Sequence, residues 1–178
     1  DARVRLCALD GLLRETVATL ESMVADGARI PRAVRARARV AAAHIVHESR
    51  SVIADLLESH TIGGRPYLSQ DETRHVTYVK LYTLAAGGTG ISPACFDLLA
   101  RLATHPDFFP KVPRRASYSA GDVIPGAHWA CAALAAEPRH RPPTDGMALV
   151  NGGFVHIAGL TAAIGHLQRS LALFLEVT

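Results

Sequence analysis

Several groups of side chains in this chain have the types and spacing to do chemistry. His44, His47 and Glu48 spell His-x-x-His-Glu. On a helix, His44 and Glu48 stand four apart and share a face. A carboxylate beside an imidazole shifts both acidities and suits proton transfer, so Glu48 is the first candidate for a general base, with His44 tuning it. A partly exposed helical pair with no chemistry is the plain alternative. The small-residue turn Ser119-Ala120-Gly121 leads through Asp122 into an apolar helical run. The first N–H groups and the dipole of such a helix favour negative charge, which suits a carboxylate or an enolate oxygen. The alternative is an ordinary capped turn in which Asp122 itself satisfies those N–H groups.

Asn151 can donate and accept hydrogen bonds, either to a ligand or as a helix cap or buried structural amide. Arg114-Arg115, just before the turn, can fork onto a substrate carboxylate or form a plain surface pair. Tyr67 and Tyr118 suit phenolic acids or packing equally. His128, on the helix after the turn, reads as mainly structural, and Glu58 and His60 are weaker acid–base candidates. The His-x-x-His-Glu order fits no helical zinc motif, and the chain holds no Cys-x-x-Cys pair, so no metal is expected.

The elements that must position these groups read as six helices. Residues 3–26 place Leu6, Leu9, Leu13, Val17, Leu20 and Val24 on one stripe. Residues 31–59 open on Pro31 at a first-turn position. Ser69-Gln-Asp-Glu72 is a capping box opening a helix that ends at Gly87-Gly88. Ser92-Pro93 caps and starts a helix to about 105. Three prolines make 105–113 irregular. Helices follow over 122–137 and from about Met147 to the end, the latter with an unwinding near Gly152-Gly153. No alternating strand pattern competes, so the chain reads as one all-α domain over 1–178. In the last helix, Phe154, Ile157, Leu160, Ile164, Leu167, Leu171 and Phe174 make a broad stripe that must be buried. A second copy of the chain is the simplest cover, which predicts a homo-oligomer, most simply a dimer.

Composition sets the outer limits. With 178 residues, 49% hydrophobic and 20% charged, the chain is long and apolar enough for a core. The net charge of +3 comes from 17 Arg and 2 Lys against 16 acids. Five arginines lie between Arg29 and Arg39, but no aromatics interleave for base stacking, so they read as a solvated face and no nucleic-acid partner is expected. Three scattered cysteines, Cys7, Cys95 and Cys131, favour a reducing, cytoplasmic setting. No basic-then-apolar leader opens the chain, which begins at Asp1. The apolar run from Met147 to Ile164 is broken by Asn151, glycines and His156, a pattern that favours a buried helix over a membrane span.

The stretch from Ala116 to Trp129, ASYSAGDVIPGAHW, resembles the signature of the aromatic amino-acid ammonia-lyases and aminomutases. Leu81–Pro93 (LYTLAAGGTGISP) is similar to a helix and Gly-rich turn of that family. Asp145–Gly153 (DGMALVNGG) is similar to its Glu-Gly-Leu-Ala-Leu-x-Asn-Gly-Thr element, and Gly27–Ile30 with the following Arg/Ala/Val-rich helix to its N-terminal region. These pieces run in order over roughly residues 20–165. In the family an Ala-Ser-Gly triplet cyclises to an electrophilic methylidene-imidazolone (MIO). Here the order is Ser119-Ala120-Gly121, and Ala120 has no hydroxyl to lose, so the resemblance implies a relative without that group or any other cofactor. A shifted register, Tyr118-Ser119-Ala120, would put a Cβ where the ring needs glycine. The resemblance also implies an active-site role for Asn151 and a substrate pocket at Ser119, Ala120 and Gly121. The family's catalytic-tyrosine loop is absent, and Gly64-Arg-Pro-Tyr67 is the segment that could be its remnant.

The resulting expectation is an all-α, ammonia-lyase-like domain with a long C-terminal helix. It would act on an amino acid, aromatic by resemblance, or on a derived carboxylate. Plain acid–base catalysis by Glu48, His44, Asn151 and Tyr67 would drive a condensation, cyclisation or elimination in specialised metabolism. The alternative is a non-catalytic accessory subunit or a piece of a longer lyase.

Overall fold

The computed structural model describes residues 2–27, 29–116, 121–137 and 143–177. These are helical with no strand, as the sequence pattern predicts; the one extended feature is an isolated antiparallel bridge between Tyr67 and Pro113. Seven helices follow in order: α1 (Ala2–Ala25), α2 (Arg32–Ser59), α3 (Gln70–Ala85), α4 (Pro93–Thr104), α5 (Val123–Ala136), α6 (Pro143–Val150) and α7 (Phe154–Val177). The helix expected from Met147 onward is two helices. α6 starts four residues earlier, and the chain breaks at Asn151–Gly153, where Gly152 adopts φ 103°, a conformation that glycine alone takes without strain.

The helices fall into two compact units, Asp1–Leu56 and Leu57–Thr178. In the first, α1 lies antiparallel to the body of α2. Arg5 reaches Glu48 and Asp55, both at 3.0 Å, while Leu12–Leu20 face Val34–Ala41. The periodic stripe of α1 forms but is mostly uncovered: Leu9 is buried, whereas Leu6, Leu13, Val17 and Val24 stay exposed.

The second unit is built around α5. Ile124, Ala127, Trp129, Ala130 and Ala133 are buried, so this short helix is enclosed on several sides. Its small residues permit that: a Cβ on Gly126 would meet the Val150 carbonyl at 3.0 Å and the Phe154 ring at 3.5 Å, so α5 passes directly against the α6–α7 break. Trp129 packs edge-on to Phe154 at 5.4 Å and donates its indole N–H to Thr77 Oγ1 at 2.9 Å on α3. Helix α3 begins as predicted, with Ser69 and Glu72 closing a reciprocal capping box, and α4 begins with Ser92 capping Cys95 and Pro93 in the first turn. α7 packs chiefly on α3 near its own start, through Phe154 and Ala158. Beyond that start its apolar stripe is bare: Leu160, Leu167 and Leu171 are 61%, 69% and 56% exposed.

Candidate active site at the break between α6 and α7

The break at Asn151–Gly153 is held from both sides by charge. Helix α6 ends in carbonyls that carry the negative pole of its dipole, and the Lys80 ammonium donates to the Asn151 carbonyl at 2.7 Å. Helix α7 begins with N–H groups at the positive pole, and the buried Asp122 carboxylate accepts the His156 N–H at 2.8 Å. The same carboxylate meets the His156 ring Nδ1. Asp122 itself sits at φ 48°, a left-handed conformation that asparagine and aspartate tolerate better than other side chains. Its side chain therefore turns away from its own helix. It makes no cap bond to α5 and caps α7 instead, a different arrangement from the self-capped turn weighed above.

A cleft of about 440 Å3 opens at this break, lined among others by Lys80, Gly88, Thr89, Asn151, Gly153 and Ile157. Lys80 is 2% exposed, its ammonium lies 4.3 Å from the centroid of the Phe154 ring, and burial lowers its pKa from 10.5 to about 8. Asn151 is exposed at the cleft, and its backbone N–H donates to Met147 O. On the far side of α6, buried Asp145 accepts from both the N–H and the hydroxyl of Ser92, at 2.7 and 2.8 Å, and so ties α6 to the start of α4.

The other predicted site residues lie as follows. Ser119 and Ala120 fall outside the described residues, as does Tyr118; Gly121 is half-buried beside Asp122. Asp122 joins the end of that turn to the start of α7, so Gly121 and Asn151 flank the same Asp122–His156 tie. Tyr67 bridges Pro113, with Leu68 N–H on Val112 O and Arg114 N–H on Pro66 O, which sets it beside the segment leading into the turn. Arg114, a candidate carboxylate clamp, forks onto Glu72 and holds that carboxyl at about 2, far below its usual range. Arg115 is exposed. His128 holds the Ile62 carbonyl at 3.0 Å, a structural role. In the first unit, His44 is exposed, and Glu48 is half-buried with its Oε2 taken by Arg5. Among the described residues no three His, Cys, Asp or Glu gather as a metal site.

Sequence reasoning passed over Lys80, His156 and Asp145. Lys80 left a signal: it continues the buried stripe Thr73, Val76, Thr77, Leu84 of α3 at helical spacing, where a lysine is out of place.

Residues 14–141 match the aromatic amino acid lyase family. The chain belongs to that family. It is 32% identical over 152 residues to a histidine ammonia-lyase of Paracidovorax citrulli, covering 70% of this chain and 30% of that protein. A histidine ammonia-lyase of Rhodospirillum rubrum is 33% identical over 121 residues, 67% of this chain and 23% of its own length. One of Aliivibrio fischeri is 29% identical over 140 residues, covering 78% and 26%. The chain thus spans less than a third of these relatives. No solved structure matches it. The methylidene-imidazolone of the family does not fit the residues present: the triplet ending at Gly121 carries alanine at position 120, and an alanine methyl offers no leaving group.

Proposed function

We propose that this chain is a MIO-independent member of the aromatic amino acid lyase family that binds an amino acid, aromatic by family, or a carboxylate derived from one. Acid–base catalysis would then drive an elimination, condensation or cyclisation in specialised metabolism. The observation that carries the reading is the cleft at the α6–α7 break, with Asn151 on its wall, in a chain whose triplet reads Ser-Ala-Gly. In this reading Ser119, Ala120 and Gly121 line the substrate, and Tyr67 serves as a phenolic acid. Glu48 is the base, with His44 beside it, once its ion pair with Arg5 opens; Arg114 and Arg115 can take a carboxylate once Glu72 releases the first of them. Three cysteines with no disulfide among them suit a cytoplasmic setting. Thr144–Glu176 is long and apolar enough to cross a membrane by length and hydropathy, but the break at Asn151–Gly153 divides it. We therefore assign its apolar face to a second copy of the chain.

A second reading, a non-catalytic accessory subunit or a portion of a longer lyase, is favoured by the short span against the relatives and by the bare stripe of α7. Calorimetric titration with phenylalanine, tyrosine and histidine, joined to intact mass, separates the two. Heat of binding, product on incubation and a mass equal to the sequence support the first reading. Absence of binding, or a mass short by two waters, rejects it. Glu48→Gln should lower turnover about a hundredfold, within the usual general-base range. Unchanged turnover removes Glu48 from the site.

A further inference from the structure

Lys80 is an anomaly that the family resemblance does not explain. A buried ammonium is costly unless a counter-charge accompanies it. Among the described residues no carboxylate pairs with Lys80. Its one hydrogen-bond acceptor is the Asn151 carbonyl, and the Phe154 ring covers another side. Several arginines do meet carboxylates, Arg5 with Glu48 and Asp55, Arg101 with Glu137 and Arg114 with Glu72. Lys80 carries its charge into the wall of a cleft, and among the described residues it has a helix-end carbonyl but no carboxylate beside it.

The cleft supplies what a small anion needs around that charge. Its volume of about 440 Å3 fits a molecule of amino-acid size, in the usual range of small-ligand pockets. Gly88, Gly152 and Gly153 leave backbone uncovered along it, and Asn151, exposed on its wall, carries an amide able to act as a second donor. Ile157 and Leu84 give it an apolar flank for a non-polar body. The nearest alternative role for Lys80, a cap on the end of α6, uses one of its three N–H groups and leaves the others for a ligand.

We propose that Lys80 is the carboxylate-binding residue of this cleft, holding the acid group of the ligand through an ion pair, with the Asn151 amide as its second donor. The proposal deepens the functional reading above, on which its choice of ligand rests. It gives the chain its own carboxylate anchor, separate from Arg114, whose fork is already filled by Glu72. The apolar flank then takes the side chain or ring of the same ligand. A carboxylate on Lys80 sets an opposite charge beside the buried ammonium, so ligand binding should raise the pKa of Lys80 toward that of an ordinary lysine.

The test uses 3-phenylpropanoate as probe and the isosteric neutral 3-phenylpropanamide as control. Both are titrated into the chain and into Lys80→Met and Asn151→Ala by calorimetry. The Lys80 side chain of the parent is followed by its 13Cε resonance across pH. The carboxylate should bind the parent at least tenfold more tightly than the amide. That preference should vanish in Lys80→Met and fall severalfold in Asn151→Ala. In the parent, bound carboxylate should move the Lys80 titration upward. The resonance needs no variant, so it decides the matter even if Lys80→Met fails to fold. Equal affinity for acid and amide, retained preference in Lys80→Met, or a Lys80 titration unmoved by saturating carboxylate overturns the proposal. If aromatic amino acids bind without moving Lys80, the anchor is wrong and the functional reading stands. If the propanoate moves Lys80 but the chain turns over neither an aromatic amino acid nor a carboxylate derived from one, the anchor stands and the catalytic reading falls.

Discussion

Replacing Lys80 by methionine keeps the length of the side chain and removes its charge, and the structure fixes the sign of the consequence. Lys80 has its pKa lowered from 10.5 to about 8 by burial. Between these values the unfolded chain holds a proton that the folded chain has released, so stability must rise as pH climbs through this window. At about 1.4 kcal/mol per unit, the rise amounts to roughly 3 kcal/mol, all of it penalty carried by the parent at neutral pH. Methionine escapes that penalty but gives up the bond to the Asn151 carbonyl, worth about 1 kcal/mol where water can reach the freed oxygen. Lys80→Met is therefore expected to be more stable than the parent at pH 7 by about 2 kcal/mol. The gap should close near pH ~10 and reverse by up to about 1 kcal/mol above 10.5, where only the lost bond remains. Urea unfolding, read by the fluorescence of the single, buried Trp129, measures both proteins at each pH. The comparison between them cancels other groups that titrate nearby, including Cys131, whose thiol is raised by burial and so acts with opposite sign. Parallel curves from pH 7 to 11 would refute the reasoning. A variant less stable than its parent by 2 kcal/mol at pH 7 would do the same, because the ammonium would then be a net clamp on α6.

Glu72→Gln removes both the capping-box carboxylate and the fork to Arg114; unfolding at pH 7 should show a loss of about 1 kcal/mol, the range for a cap with an exposed pair. Glu72 is held at about 2, below its usual 4.5, so its contribution is complete above that usual value and fades as pH falls toward 2; a parent–variant difference that stays constant down to pH 2 contradicts this. Gly126→Ala forces a Cβ against the Val150 carbonyl and should cost about 1–3 kcal/mol in the same unfolding assay, whereas a neutral effect would mean that α5 and the break separate easily. Leu167→Glu places a charge in the middle of the bare α7 stripe; sedimentation should show the parent as a dimer and the variant as a monomer, and a monomeric parent ends the homo-oligomer proposal.

What could be read from the sequence was what local chemistry decides. The capping box at Ser69, the Ser92 cap before Pro93 and the apolar helix after Asp122 each need only a few neighbouring residues, and each forms as expected. The glycines at 152 and 153 foretold an unwinding, but not that it separates two helices, because α6 begins at Pro143, four residues ahead of the helix start read at Met147. The periodic stripes of α1 and α7 were legible as stripes. Their cover was not, since spacing along one helix carries no information about what lies across from it.

The site was harder to read because its decisive contacts join residues far apart in the chain. Asp122 was weighed as the cap of its own helix, where sequence proximity puts it. A left-handed backbone turns its carboxylate onto α7 instead, 34 residues on. Lys80 meets Asn151 across 71 residues; its place on the buried stripe of α3 hints at burial, but nothing local names its partner. Both contacts follow one electrostatic rule: an anion meets the positive start of α7, and a cation meets the negative end of α6. The rule accounts for the charges on either side of the break, yet it treats the two unequally. Asp122 is matched by a backbone N–H and the His156 ring, whereas among the described residues Lys80 meets a carbonyl and an aromatic face but no carboxylate. The positive charge at the cleft wall is therefore in excess, and an anion entering there meets a site already arranged to receive it.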